Sequence, residues 1–191
     1  SFWSEVQNDL GNTTESNTTA GFTVTEGTFR LADDFVVPAG QTWTLEAVEF
    51  YGYQTGASAA ATPFIGHTLQ IWNGRPGDAG ATVVFGDTTT NRLATSANST
   101  YFRIFNSSVP APGSAPGTTR PIWRNRVTID PPLSLTAGTY WLDWASTVTN
   151  AATHFQPSVT LPGARGAAGW NARQFTVSAA SWADAIDADR K

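Results

Sequence analysis

Val37-Pro38-Ala39-Gly40-Gln41-Thr42-Trp43 has a counterpart near the other end of the chain, Leu135-Thr136-Ala137-Gly138-Thr139-Tyr140-Trp141. In both stretches an Ala-Gly pair joins two runs of β-branched or alternating apolar residues, and a Trp follows the Gly by three positions. Short breaks that contain Gly, placed between such runs, are typical of antiparallel sheets. We therefore predict a turn at each Ala-Gly pair, with a strand on either side of it.

The same alternation of apolar and polar residues recurs along most of the chain. An uneven period in Trp43–Tyr53 predicts a β-bulge near Ala47-Val48, and Asn73-Gly74 predicts a tight turn. Further strand-like runs are Phe22–Thr25, Asp34–Val37, Thr68–Trp72, Thr82–Phe85, Tyr101–Phe105, Trp123–Ile129, Tyr140–Ala145 and Gln174–Val177. About nine or ten short strands with regular turn signals predict an all-β fold, an antiparallel two-sheet sandwich with jelly-roll-like connectivity.

The length of 191 residues and the hydrophobic fraction of 40% suit one well-buried core. Residues 1–20 are mostly polar, so we predict an N-terminal arm there. We assign residues 21–191 to a single β-sandwich domain.

The composition narrows the classes of function. Only 14% of residues are charged, the net charge is -4, and there is no Cys, which rules out disulfides and thiolate metal sites. A mildly acidic chain without a basic block is a poor candidate for binding nucleic acid. No apolar run approaches the ~18 residues that a membrane span needs. The weakly charged surface and the start at Ser1 lead us to expect a secreted or cell-surface protein from which a signal peptide has been removed.

Three stretches of the sequence resemble known proteins. They are Leu31–Gly40, Leu69–Trp72 with Pro76-Gly77 after it, and Leu133–Leu142. Together they resemble the β-sandwich modules of bacterial secreted or cell-surface proteins, of the kind that often precede C-terminal sorting signals. The resemblance implies a bacterial, extracytoplasmic, jelly-roll-like module, and it carries no assigned activity or catalytic residue.

The sequence offers few residues for catalysis or for metal binding. His67 and His154 are its two histidines, and we expect them on the rim or in loops, without a shared site. We identify no catalytic residue. We expect no cofactor, or a structural calcium ion held by carboxylates, because Ca²⁺ takes six to eight oxygen ligands. The candidate calcium ligands are Asp33, Asp34, Asp78 and Asp87.

The eight tryptophans give the best indication of a binding function. We expect Trp43, Trp72, Trp141 and Trp144 to fill the core, because they lie in strand patterns. Trp123 and Trp170 follow loop-like segments, and we expect them to be exposed. Exposed aromatic rings beside planar polar groups suit sugars, whose apolar faces stack on the rings. The predicted binding residues are Trp123, Trp170, Tyr53, Gln54 and Arg124.

Three classes of function remain open at this point. The first is a noncatalytic extracellular module that binds carbohydrate or a cell-surface polymer. The second is a structural or adhesive surface or filament subunit that assembles with itself through terminal strands. The third is a hydrolase or lyase on a jelly-roll scaffold.

Overall fold

A computed structural model describes residues 2–5, 20–104, 117–158 and 171–185 of the chain. The all-β prediction is confirmed, since these residues contain ten strands, one 3-10 turn at Val177–Ala179 and no α-helix. The strands are β1 (Phe2–Glu5), β2 (Phe22–Thr23), β3 (Phe29–Tyr53), β4 (Phe64–Trp72), β5 (Val83–Asp87), β6 (Leu93–Ile104), β7 (Pro121–Val148), β8 (Phe155–Gln156), β9 (Arg173–Thr176) and β10 (Ser181–Asp184).

Strands β3 and β7 form a long antiparallel ribbon, which we call the β3–β7 ribbon. They are 25 and 28 residues long, and they are paired from Leu31 opposite Trp144 to Tyr53 opposite Ile122. Each of the other eight described strands attaches directly or through one neighbour to an edge of this ribbon. The ribbon is therefore the backbone of the whole sheet.

Two bulges interrupt the ribbon, one on each strand. On β3, residues 38–41 lie opposite the single residue Ala137; on β7, residues 129–132 lie opposite the single residue Glu46. The first bulge shifts the register of β3 against β7, and the second shifts it back by the same amount. The two strands are therefore paired in the same register at both ends of the ribbon. The bulge predicted near Ala47-Val48 thus has its counterpart between Leu45 and Ala47, with the extra residues on the partner strand.

The turns predicted at the two Ala-Gly pairs are wrong. Both pairs lie inside continuous strands, and they face each other across the ribbon, with Val37 opposite Gly138. Gly40 has a φ of 78°, a conformation that Gly adopts freely and that occurs in bulges as well as in turns. The chain here bends outward without reversing its direction.

The remaining strands attach to the two ends of the ribbon. At one end, β9 pairs with β3 along Phe29–Ala32, β4 pairs with β7 along Trp141–Val148, and β10 and β5 extend these edges. At the other end, β6 pairs with β7, β8 pairs with β3 at Tyr53, and β1 and β2 lie outermost. Residues Phe2–Glu5 of the predicted N-terminal arm thus form an edge strand, parallel to β6.

Residues from both ends of the ribbon meet in one core. Leu31, Leu69 and Trp144 come from the first end, and Phe50 and Val127 come from the second. The rings of Phe50 and Trp144 stack with their centroids 4.8 Å apart. The ten described strands are joined by hydrogen-bonded pairing into one sheet, and residues from its two ends meet in this core. The two-sheet sandwich stays a prediction. The jelly-roll-like connectivity and the domain boundaries stay predictions.

A buried ion pair connects β3 to β7 beside this core. The guanidinium of Arg30 donates from Nε to Asp143 Oδ1 at 2.8 Å and from a terminal nitrogen to the Asp143 carbonyl oxygen at 3.2 Å. Thr68 Oγ1 accepts a third bond from Arg30, and Trp72 Nε1 donates to Asp143 Oδ2. Burial raises the pKa of the Asp143 carboxyl, while Arg30 and Trp72 act in the opposite direction. The network therefore fixes the relative positions of β3, β4 and β7.

Replacing Arg30 with Ala should lower the free energy of unfolding by about 3–5 kcal/mol, because it leaves the Asp143 carboxylate buried without its cation. Arg124→Ala is the matched control, since Arg124 and Glu49 form an exposed pair 3.9 Å apart, of a kind that contributes at most about 1 kcal/mol. The double variant Arg30→Met/Asp143→Leu should lose less than Arg30→Ala alone. Urea unfolding followed by Trp fluorescence measures all three. Equal losses for Arg30→Ala and Arg124→Ala would contradict the assignment.

Candidate functional site

Most of the binding residues predicted from the sequence do not lie on the surface. Trp123 is 4% exposed and packs with Phe64 and Val148, so the expectation that it is exposed is wrong. Pro121 is the first residue of β7, so Trp123 lies within the strand, on the face that packs against Phe64 and Val148. Trp123 therefore has no free ring face for a ligand.

The other four predicted binding residues are scattered. Tyr53 and Gln54 are buried, with the Tyr53 ring 5.4 Å from that of Phe155 and the Gln54 amide donating to the Asn150 side chain at 2.8 Å. Arg124 is exposed on β7. Trp170 lies outside the described residues. The structure therefore does not bring the described members of this set together on one surface.

Three of the four candidate calcium ligands, Asp33, Asp78 and Asp87, have carboxylates with other partners in the structure. Asp33 accepts a hydrogen bond from the Asp34 amide, and Asp78 lies 3.7 Å from Arg75 and 3.5 Å from Arg173. Asp87 accepts bonds from the backbone amides of the two residues Thr89 and Thr90, which hold the pKa of its carboxyl well below the usual range. Within the described ranges no three His, Asp or Glu side chains form a group that could hold a metal ion. The structural calcium ion stays a prediction.

Both histidines are buried, so a position on the rim is wrong for both; His67 lies within β4, whereas His154 lies in the segment before β8, where a loop position was expected. His67 is 2% exposed; its ring lies 5.6 Å from the ring of Phe50 and 6.1 Å from that of Phe64. Neither ring nitrogen of His67 has a hydrogen-bond partner among the described residues. Desolvation, with a smaller effect from His154, lowers the pKa of His67 to about 3. At neutral pH His67 is therefore an uncharged member of the core.

His154 differs from His67 in its polar contacts. Its Nδ1 lies 3.1 Å from the Ala152 carbonyl oxygen, and its Nε2 lies 2.9 Å from that of Ser146. Desolvation lowers the pKa of His154, although these carbonyl groups favour its protonated form. Both histidines therefore support the packing around Phe64, whose ring also contacts His154 at 5.6 Å.

An aromatic row lies on the β3–β7 ribbon; it consists of Trp43, Phe35 and Tyr140. The Trp43 and Phe35 ring centroids are 6.3 Å apart with planes 11° from parallel, and those of Phe35 and Tyr140 are 5.8 Å apart at 29°. Trp43 is 38% exposed, which makes the expectation that it fills the core wrong. Phe35 and Tyr140 are partly buried against the edge of the core. One side of the row thus packs against the core, and its Trp43 side is exposed to solvent.

The first bulge of the ribbon brings this row together. Phe35 and Tyr140 are directly opposite each other, as expected for side chains on one face of paired strands. Because residues 38–41 bulge out, Trp43 pairs with Leu135, and its ring comes next to Phe35 despite the eight-residue separation in sequence. A regular ribbon would carry Trp43 farther along the strand.

Hydrogen bonds hold the polar edges of the two outer rings. Trp43 Nε1 donates to Gln41 Oε1 at 2.8 Å, and the Tyr140 hydroxyl donates to the Thr136 carbonyl oxygen at 3.1 Å. These bonds fix ring orientation before any ligand arrives, which lowers the entropy lost on binding. The exposed side chains of Thr42, Thr44, Ser134 and Thr139 alternate with the row residues or their partners along the two strands, so they lie on the opposite face of the ribbon. The surface of the row itself combines aromatic faces with the Gln41 amide and the Tyr140 hydroxyl.

Comparison of the chain with protein-family models, with curated proteins and with solved structures finds no match. In the part of the chain that the structure describes, no helix has the length and apolarity to cross a membrane.

Acidification should destabilise the protein through His67. Its pKa is about 3 in the folded chain and near the ordinary 6.5 when unfolded. Between these values only the unfolded state takes up the proton, so stability falls as the pH drops from about 6.5 towards 3. The slope is about 1.4 kcal/mol per pH unit for one proton.

Urea unfolding at a series of pH values measures this slope in the wild type and in His67→Phe, which keeps a ring against Phe50 but cannot be protonated. The variant should show a shallower dependence, because carboxylates and His154 contribute equally to both proteins. An unchanged slope in His67→Phe would show that His67 does not titrate as its burial requires.

Proposed function

We propose that this protein is a noncatalytic extracellular module that binds carbohydrate or a cell-surface polymer through the aromatic row. The observation that carries the proposal is the set of three rings, nearly parallel and centred about 6 Å apart, of which Trp43 is 38% exposed. A pyranose ring presents apolar C–H groups on its faces, and these stack on aromatic rings as nucleic acid bases do.

The polar surroundings of the row support a sugar more than an apolar ligand. The Gln41 amide lies beside the Trp43 indole, and the Tyr140 hydroxyl lies at the other end of the row. Such groups both donate and accept hydrogen bonds, as do the hydroxyls of a sugar. Because three rings follow one another along the ribbon, the surface suits a chain of several sugar units.

The groups best suited to acid–base chemistry lie elsewhere in the fold. His67 and His154 are buried around Phe64, and Asp143 is buried in its ion pair with Arg30. Their positions favour binding over catalysis at the row. The hydrolase or lyase and the self-assembling structural subunit stay alternatives from the sequence, as does the secreted or cell-surface location.

Trp43→Ala should weaken binding of the best polysaccharide in a glycan screen by about 1–3 kcal/mol, the range for a base stacked on an aromatic side chain. That corresponds to an affinity about 5-fold to 150-fold lower. Isothermal titration calorimetry with the selected oligosaccharide measures it. Folding should be little changed, because Trp43 is exposed.

Tyr51→Ala is the matched control for this substitution. Tyr51 lies on β3 as well and is 41% exposed, but it is not part of the aromatic row. Its loss should leave the affinity unchanged. The proposal fails if a broad screen gives no ligand, or if Tyr51→Ala and Trp43→Ala weaken binding equally.

A further inference from the structure

Three polar side chains lie in the core without a hydrogen-bond partner among the described residues. They are His67, Asn125 and Trp144, which are 2%, 0% and 7% exposed. Both ring nitrogens of His67, both amide atoms of Asn125 and the indole nitrogen of Trp144 lack a partner. Exchanging the oxygen and nitrogen of the amide, or changing the tautomer of the imidazole, supplies none, because both atoms of each group are affected.

These three side chains surround the ring of Phe50. The Phe50 ring stacks on Trp144 with centroids 4.8 Å apart and on His67 with centroids 5.6 Å apart. Asn125 is directly opposite Phe50 in the β3–β7 ribbon, so their side chains share one face of the ribbon. Trp123, whose indole nitrogen also lacks a partner, precedes Asn125 by two residues on that face. The unpartnered atoms therefore belong to one region of the core.

The chemistry of these groups restricts what can bind between them. The Trp144 indole only donates a hydrogen bond, the Asn125 amide both donates and accepts, and a neutral imidazole does one of each. Desolvation lowers the pKa of His67 to about 3, so the ring is neutral at neutral pH. A bound ion would meet only the donors or only the acceptors, and it would add a buried charge. The ligand must be small and neutral, and it must both donate and accept.

Water has these properties. Polar atoms inside proteins are rarely left without a partner, because each has lost its hydrogen bonds to solvent. Cavities that stay dry are apolar, whereas a buried water typically makes about three hydrogen bonds to polar groups. Three neighbouring polar side chains are therefore enough for a water site.

We propose that the core binds at least one long-lived water molecule, shared by Asn125, His67 and Trp144. The water accepts a hydrogen bond from the Trp144 indole and exchanges bonds with the amide and the imidazole. Trp144 lies at the first end of the ribbon, Asn125 at the second end and His67 on β4. The shared water thus connects the two ends of the ribbon and β4 by hydrogen bonds. This site is separate from the aromatic row and does not rest on the proposed function.

Nuclear Overhauser effects between water and the labelled protein test the site in the wild type. A long-lived water should give contacts to the Asn125 side-chain amide protons and to the Trp144 indole proton. Trp43 is the internal reference, because its indole already donates to Gln41 and the side chain is 38% exposed. Its indole proton should show no contact with a long-lived water.

Magnetic relaxation dispersion of the water signal counts the long-lived waters in variants. Asn125→Leu nearly keeps the side-chain volume and removes both amide atoms, so the count should fall by at least one. Asn98→Leu is the matched control, since Asn98 is exposed on β6 and its amide already bonds to the Ala59 carbonyl and the Thr100 amide. The count should stay unchanged in this variant.

The wild type decides the question even if Asn125→Leu does not fold. Absence of a long-lived water from either Asn125 or Trp144 overturns the inference. An unchanged count in folded Asn125→Leu overturns it as well. Neither result bears on carbohydrate binding, because no residue of the aromatic row is part of the water site.

Discussion

The hydrogen-bonded pairing of β3 with β7 is the constraint on which the rest of the structure depends. Every later strand pairing uses an outer edge of this ribbon or a strand already attached to it. Because side chains alternate between faces, one register decides which residues enter the core and which face solvent. The core contains residues from both ends of the ribbon, namely Leu31, Phe50, Val127 and Trp144. They can meet only if β3 and β7 are paired in the same register at both ends.

The two compensating bulges reconcile this requirement with a surface site. A bulge on one strand alone would shift the offset at the far end of the ribbon, whereas a second bulge on the partner restores it. Between the bulges the chain is free to present Trp43 beside Phe35 without disturbing the core. Bulges are often found near functional sites for this reason, since they redirect individual side chains.

Buried polar contacts add a second constraint on the pairing. Arg30 on β3 reaches Asp143 on β7 and Thr68 on β4, so a shifted register would leave charges buried without partners. We infer that this network favours one register over others, as buried polar groups do in some coiled coils.

The alternating pattern of the sequence was enough to predict an all-β chain, and Asn73-Gly74 indeed begins the connection between β4 and β5. The aromatic row was not predictable from it. A Gly with positive φ serves a turn and a bulge equally, and only the partner strand distinguishes them. The heptapeptides at 37–43 and 135–141 contain the glycines and the Trp43 side chain that form the bulge and the row. Their pairing is a contact between residues far apart in sequence, which local pattern does not predict.

The tryptophans show the same limit of sequence reasoning. Trp43 was expected inside because it lies in a strand pattern, yet residues 38–44 of β3 are exposed. Trp123 was expected outside because Pro121 precedes it, yet Pro is tolerated at the first residue of a strand. In both cases burial depends on which strands cover the position, and local pattern does not contain that information.

The register at Trp43 tests the central claim most directly, namely that paired bulges assemble the aromatic row. Nuclear Overhauser effects between the backbone protons of opposite strands report which residues face each other in solution. The structure requires cross-strand contacts of Phe35 with Tyr140 and of Trp43 with Leu135 in the same molecule. If the offset of Leu31–Val37 continued without a bulge, Trp43 would face Pro132 instead. Contacts between Trp43 and Pro132 in place of Leu135 would contradict the account.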